Sequence, residues 1–104
     1  MPRFVFVYHG GATPASEAEG RKVMAAWTAW FGALGNAVVD AGAPFGPSST
    51  VSAGQVAGNG GSNPASGYSI IEAADMEGAI AMAKGCPIVA EAGGSVEIAQ
   101  AMAM

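Results

Sequence analysis

The spacing of apolar positions along this chain switches between a period of two and a helical period. From Pro2 to His9, Phe4, Phe6 and Tyr8 fall on one side of an extended segment, and Arg3, Val5, Val7 and His9 on the other. Both sides are largely apolar, so the strand needs helices over one face and a second layer over the other. Gly10 to Ala15 is a short loop containing Pro14. Ser16 and Glu19 then form a capping-box pair, each satisfying a donor that the other leaves open. The predicted helix carries Val23, Trp27, Trp30, Phe31 and Leu34 on one face. That stripe must outweigh Gly20 and Gly32, each about 1 kcal/mol worse than alanine inside a helix. Gly35 and Asn36 end the helix, and Ala37 to Ala41 is a short strand.

From Gly42 to Ser66 the composition changes to Gly, Ser, Pro, Asn and Ala. A loop of this length inside a compact domain is usually functional or disordered. Ser49 to Val56 reads as an extended arm with Val51 and Val56 as its β-branched aliphatics, and Gly58–Asn63 as a turn. A strand, Tyr68 to Ala73, comes next, rich in aromatic and β-branched residues. Asp75 is placed to cap the following helix. Met76, Ala79, Ile80 and Ala83 make its expected apolar face, and Lys84 suits its negative end. Gly85 is expected in the left-handed closing position, with Pro87 preventing continuation. Ile88 to Gly93 is a connector. Gly94 to Ala99 is the last strand, with Val96 and Ile98 on one face and Ser95 and Glu97 on the other, followed by an apolar tail, 100–104.

This order predicts one α+β domain over residues 1–104, a ferredoxin-like βαββαβ sandwich. Two helices cover one face of a four-stranded antiparallel sheet. The opposite face is left for a second sheet, which predicts a homodimer.

Composition narrows the partners. Apolar residues make up 51% of the 104 positions and charged residues only 12%, against roughly 25% in ordinary soluble domains. A small domain with so few charges is expected to hide surface in an oligomer. The net charge is −4, and four basic residues (Arg3, Arg21, Lys22 and Lys84) make no stripe for a phosphate backbone, so no nucleic-acid binding is expected. No apolar run approaches the ~20 residues of a membrane span, and no charged-then-apolar leader opens the chain. The expectation is a cytoplasmic protein without membrane contact. The lone Cys86 has no partner for an internal disulfide and no companions for a zinc site.

The series Gly67-Tyr-Ser-Ile-Ile-Glu-Ala-Ala-Asp75, Ala79, Ala83, Cys86-Pro87 and Gly93-Gly-Ser-Val-Glu-Ile98 resembles the YCII-related family, whose members often carry a DGPF motif. Phe4-Val-Phe-Val-Tyr8 and Ala41-Gly42 agree with it, and the resemblance spans the chain except about residues 43–66. It implies a dimeric α+β barrel, two sheets packed face to face with a cleft at their edge. The wider superfamily includes small isomerases, dehalogenating lyases and cofactor-free oxygenases. This chain departs from the family in two places. Asn59-Gly-Gly-Ser-Asn-Pro-Ala-Ser66 stands where the DGPF segment belongs, and Trp27 stands where many relatives carry a helix histidine.

His9 is the only histidine, the side-chain type that changes charge nearest neutral pH. Asp40 ends the second strand. If the two met across a pocket, Asp40 would orient His9 as a general base; the plainer reading is of two strand-end residues facing loop or solvent. Tyr8 and Tyr68 are candidate ligand-binding residues, with Tyr68 equally suited to packing. Trp27 and Trp30, with Tyr8, are candidates to line an apolar ligand site, but at helical spacing the tryptophans are read as core, and Cys86 as buried and inert. Glu72 and Glu97, on strands that could neighbour each other, are either a carboxylate pair or exposed strand charges. One histidine and scattered carboxylates make no metal set, and Gly10-Gly11 is not a phosphate loop. No cofactor is expected. The leading reading is a homodimer that holds a small, mostly apolar organic molecule in a cleft, with cofactor-free lyase or isomerase chemistry as what the resemblance implies. The alternative is a non-catalytic binding or interaction module whose 43–66 arm serves dimer assembly.

Overall fold

A computed structural model of the chain describes residues 1–11 and 14–103. Ala12 and Thr13 of the expected Gly10–Ala15 loop, and Met104 of the expected tail, lie outside the described residues. The elements are β1 (Arg3–His9), α1 (Glu17–Leu34), β2 (Val38–Pro44), β3 (Thr50–Ser52), β4 (Gln55–Ala57), β5 (Ala65–Glu72), α2 (Met76–Ala83) and β6 (Ser95–Gln100). Short 3-10 turns at Gly35–Ala37 and Pro87–Ala90 link them. Four strands form an antiparallel sheet in the order β2-β5-β1-β6. This is an α+β architecture compatible with a ferredoxin-like fold. Among the described residues no helix is long and apolar enough to cross a membrane.

Alternation along the strands decides where the core lies. Phe4, Phe6 and Tyr8 of β1 and Ser69 and Ile71 of β5 are buried beneath the helices, and Val96 and Ile98 of β6 pack on the same cluster. Trp30 leads the helical contribution. Its ring lies 6.3 Å from Phe6 and 5.0 Å from Phe31, and its indole N–H donates to the Met82 carbonyl at 3.0 Å, tying α1 to the end of α2. Val5, Val7, Tyr68 and Ile70 alternate onto the opposite face and are half-buried.

Both expected N-caps are present. Ser16 Oγ accepts from the Glu19 N–H at 3.2 Å, and Asp75 Oδ1 from the Gly78 N–H at 2.8 Å. Asp75→Ala is expected to lower stability by about 1 kcal/mol and Asp75→Asn by far less, read as a shift in urea midpoint with unchanged slope.

Four expectations are corrected. The apolar side of α2 that reaches the core is Ala79, Met82 and Ala83, with Met76 and Ile80 on its flank, 39% and 41% exposed. Gly85 is not left-handed. Lys84 stays in the right-handed region, and the Gly85 and Cys86 N–H groups bond back three residues to Met82 and Ala83, closing the helix by tightening. Residues 43–66 are not one structureless loop, because Thr50–Ser52 and Gln55–Ala57 pair as a hairpin around Gly54 at φ +74°. Glu72 and Glu97 are not on neighbouring strands: β5 and β6 flank β1 from opposite sides.

Candidate functional site

The end of the sheet at which β1 finishes and β5 begins encloses a cleft of about 550 Å³. α1 supplies one wall with Val23, Met24, Trp27 and Phe31. Tyr8, Gly10 and Gly11 close the β1 end, Ala41 to Phe45 and Ser66 to Tyr68 form the opposite wall, and Ile88 and Glu91 lie beside the 3-10 turn. Two aromatic groups dominate. Trp27 meets Tyr8 edge-on at 4.9 Å and lies 5.9 Å from Phe31, while Phe45 stacks on Tyr68 at 6.0 Å. A second hollow of about 500 Å³ lies under the arm and shares Gly10, Gly11, Phe45 and Ser66 with the first.

The β2 wall is bent for a local reason. Its register shifts twice against β5. Gly42, at φ +76°, comes so close to β5 that any Cβ there would overlap the Tyr68 carbonyl oxygen. Asp40 fixes the bend by accepting the Gly42 N–H on Oδ1 at 2.8 Å. Its Oδ2 accepts the Tyr68 phenol at 3.0 Å.

The cleft's phenols are neutral hydrogen-bonding groups. Tyr8 donates to Ser69 Oγ at 2.8 Å, and Ser69 donates on to the Ala41 carbonyl at 2.7 Å. Burial pushes the Tyr8 phenol up to about 12, outweighing the lowering by the Ser69 bond. The Tyr68 phenol is raised by its bond to the Asp40 carboxylate and by that group's charge. Cys86 is 2% exposed, and burial pushes its thiol up to about 11. It is held as a thiol at neutral pH, and desolvation rather than the helix end is the first cause.

Tyr8 and Tyr68 both line the cleft, whereas His9 lines neither hollow. His9 is 8% exposed and sits on the face away from the helices. Its Nδ1 donates to the carbonyls of Asn63 at 3.0 Å and Pro64 at 3.3 Å, and its Nε2 lies 2.9 Å from Glu97 Oε1. Both nitrogens thus face oxygens. Asp40 is elsewhere. It pairs with Ile70, which pairs with Val5, four residues along β1 from His9, about 13 Å in the strand direction. Glu97 is the partner that sequence reasoning missed. It opposes Val7, one step diagonally from His9 on the same face of adjacent strands. The ferredoxin-like order, which puts the last strand beside the first, held that signal.

Among the described residues no group of three or more His, Cys, Asp or Glu side chains is placed to hold a metal ion. No family model, curated protein or solved structure matches this chain.

Proposed function

We propose that this protein binds a small, mostly apolar, ring-containing organic molecule in the cleft between α1 and the bent end of β2, and works as a homodimer through the face of the sheet that the helices leave open. One observation carries the binding reading: a cavity of about 550 Å³ walled by Trp27, Tyr8 and Phe31 on one side and by Phe45 and Tyr68 on the other. That volume suits a small molecule, and flat apolar walls with a few hydrogen-bonding groups are the usual make-up of such sites. The YCII-type resemblance supports the same reading, as do the half-buried Val5, Val7 and Ile70 of the open face. His9 enters it as a positioning residue that secures the Asn63–Pro64 segment. It is outside the cleft lining, and its nitrogens are engaged.

A screen of one- and two-ring aromatic compounds, with indole and naphthalene as first probes, tests this by NMR and tryptophan fluorescence. Saturable shifts are expected at Trp27, Phe45 and Tyr68, and Trp27→Ala is expected to weaken binding by about ten- to a hundredfold. Binding that maps elsewhere, or is indifferent to Trp27, overturns the reading.

A further inference from the structure

We infer that the β3–β4 hairpin is an arm that clasps a second copy of this chain, burying Val51 and Val56 against it. The inference rests on the homodimer reading above and goes beyond it by assigning the arm's role.

Among the described residues the hairpin stands apart from the main sheet. Its strands pair only with each other, and all six strand residues are exposed. Val51 and Val56 pair directly across it at 78% and 74% exposed, so its one apolar pair faces outward. An isolated two-stranded hairpin is marginal in water without a surface to pack on.

Its roots are anchored at the edge of the sheet, one beside the cleft and one on the face that the helices leave open. Phe45 stacks on Tyr68 at one root, and the Asn63 and Pro64 carbonyls bond to His9 at the other. Tyr68 and His9 both alternate onto the face that the helices leave open. Between the roots, the Phe45 N–H donates to the Ser66 carbonyl at 2.9 Å and closes the neck.

Surface area agrees. The chain exposes 6778 Å², whereas a compact monomer of 10.2 kDa exposes about 5300 Å². The excess of about 1500 Å² exceeds the roughly 800 Å² that each partner gives to a standard stable interface. The radius of gyration, 14.8 Å, likewise exceeds the about 13 Å expected of a compact chain of this length.

Charge argues against strongly charged partners. Residues 41–71 contain no Asp, Glu, Lys or Arg, so all twelve charged side chains lie outside the arm. A neutral arm has nothing to attract nucleic acid, lipid headgroups or a strongly charged protein. It approaches another copy carrying −4 without repulsion.

The test compares the wild type with Val51→Asn/Val56→Asn, which keeps the charge and alters only exposed side chains. Light scattering over a dilution series gives the dimer Kd, the amide NMR spectrum checks the fold, and isotope-filtered NOEs from the valine methyls in mixed labelled samples identify what they touch. The expected result is a wild-type dimer with intermolecular NOEs from Val51 and Val56, and a folded variant whose Kd is raised by about a hundredfold or more. A wild-type dimer without those NOEs, and with an unchanged Kd in the variant, overturns the clasp and leaves the homodimer reading standing. Methyl NOEs to Met24 of the same chain also overturn it, because the arm then covers its own cleft. A monomeric wild type overturns both readings.

Discussion

Replacing Trp30 with alanine is expected to lower the unfolding free energy by about 3–5 kcal/mol, a large share of what a domain of this size has. The reason is its position. Trp30 is 7% exposed, packs against Phe6, Tyr8, Trp27 and Phe31, and donates its indole N–H to Met82. It therefore fills the space between α1 and the sheet and also fastens α1 to α2, whose small Ala79 and Ala83 leave that layer thin. Truncation leaves a cavity that helices held at both ends close only in part. Trp30→Phe keeps most of the packing and loses the hydrogen bond, so a smaller loss of about 1–2 kcal/mol is expected. Urea unfolding followed by circular dichroism separates the two. Equal losses in both variants would show that the indole bond, rather than the packed volume, fastens the helices.

Alkaline pH is expected to unfold the protein through two buried acids. Cys86 is pushed from 9.0 to about 11 and Tyr8 from 10.0 to about 12, each by burial first. The folded state therefore keeps protons that the unfolded chain has released, and unfolding becomes easier as pH rises. The contribution is fully present below pH 9, falls between about 9 and 11 for Cys86 and between about 10 and 12 for Tyr8, and is gone above both windows. Solvent screening trims each loss to the order of 1–2 kcal/mol. A series of urea midpoints from pH 8 to 12 should fall through both windows. Cys86→Ala should flatten the lower window and Tyr8→Phe the upper, while a profile unchanged by either substitution would assign the alkaline transition to other groups.

Cleft and arm share residues in a way that bears on function. Phe45 lines the cleft and roots the arm. Pro64, at the other root, is held by His9 and lines the hollow beside the cleft. On the proposed reading, dimer assembly and ligand binding touch the same short segments, so the arm variant is also informative in the indole titration.

Much of this was legible along the chain because it is local. The caps at Ser16 and Asp75 depend on an oxygen three residues from an open N–H, and the aromatic stripe of α1 depends on helical spacing. The strand order followed from the sequence of elements, whereas which face of β1 lies under the helices, that of Phe4, Phe6 and Tyr8, was left open until the structure placed it. Tyr8 and Tyr68 were recognisable as candidates for the cleft because aromatic residues near strand ends reach such places. Composition marked the arm, since the change to Gly, Ser, Pro, Asn and Ala from Gly42 to Ser66 is visible along the chain.

What only the tertiary structure decided are pairings at long range and small backbone departures. His9 and Glu97 are 88 residues apart, and their meeting depends on β6 lying beside β1 in one register. Asp40 is kept from His9 because β5 lies between their strands and Asp40 pairs with Ile70, opposite Val5, where its carboxylate meets the Tyr68 phenol instead. Gly85 is not left-handed, and the backbone bonds of the Gly85 and Cys86 N–H groups to Met82 and Ala83 close the helix instead. Sequence determined the four strands of the main sheet and the two helices, because hydrophobic period and capping act over a few residues. Tertiary structure decided which side chains meet, because strand register is set by the packing of the whole sheet.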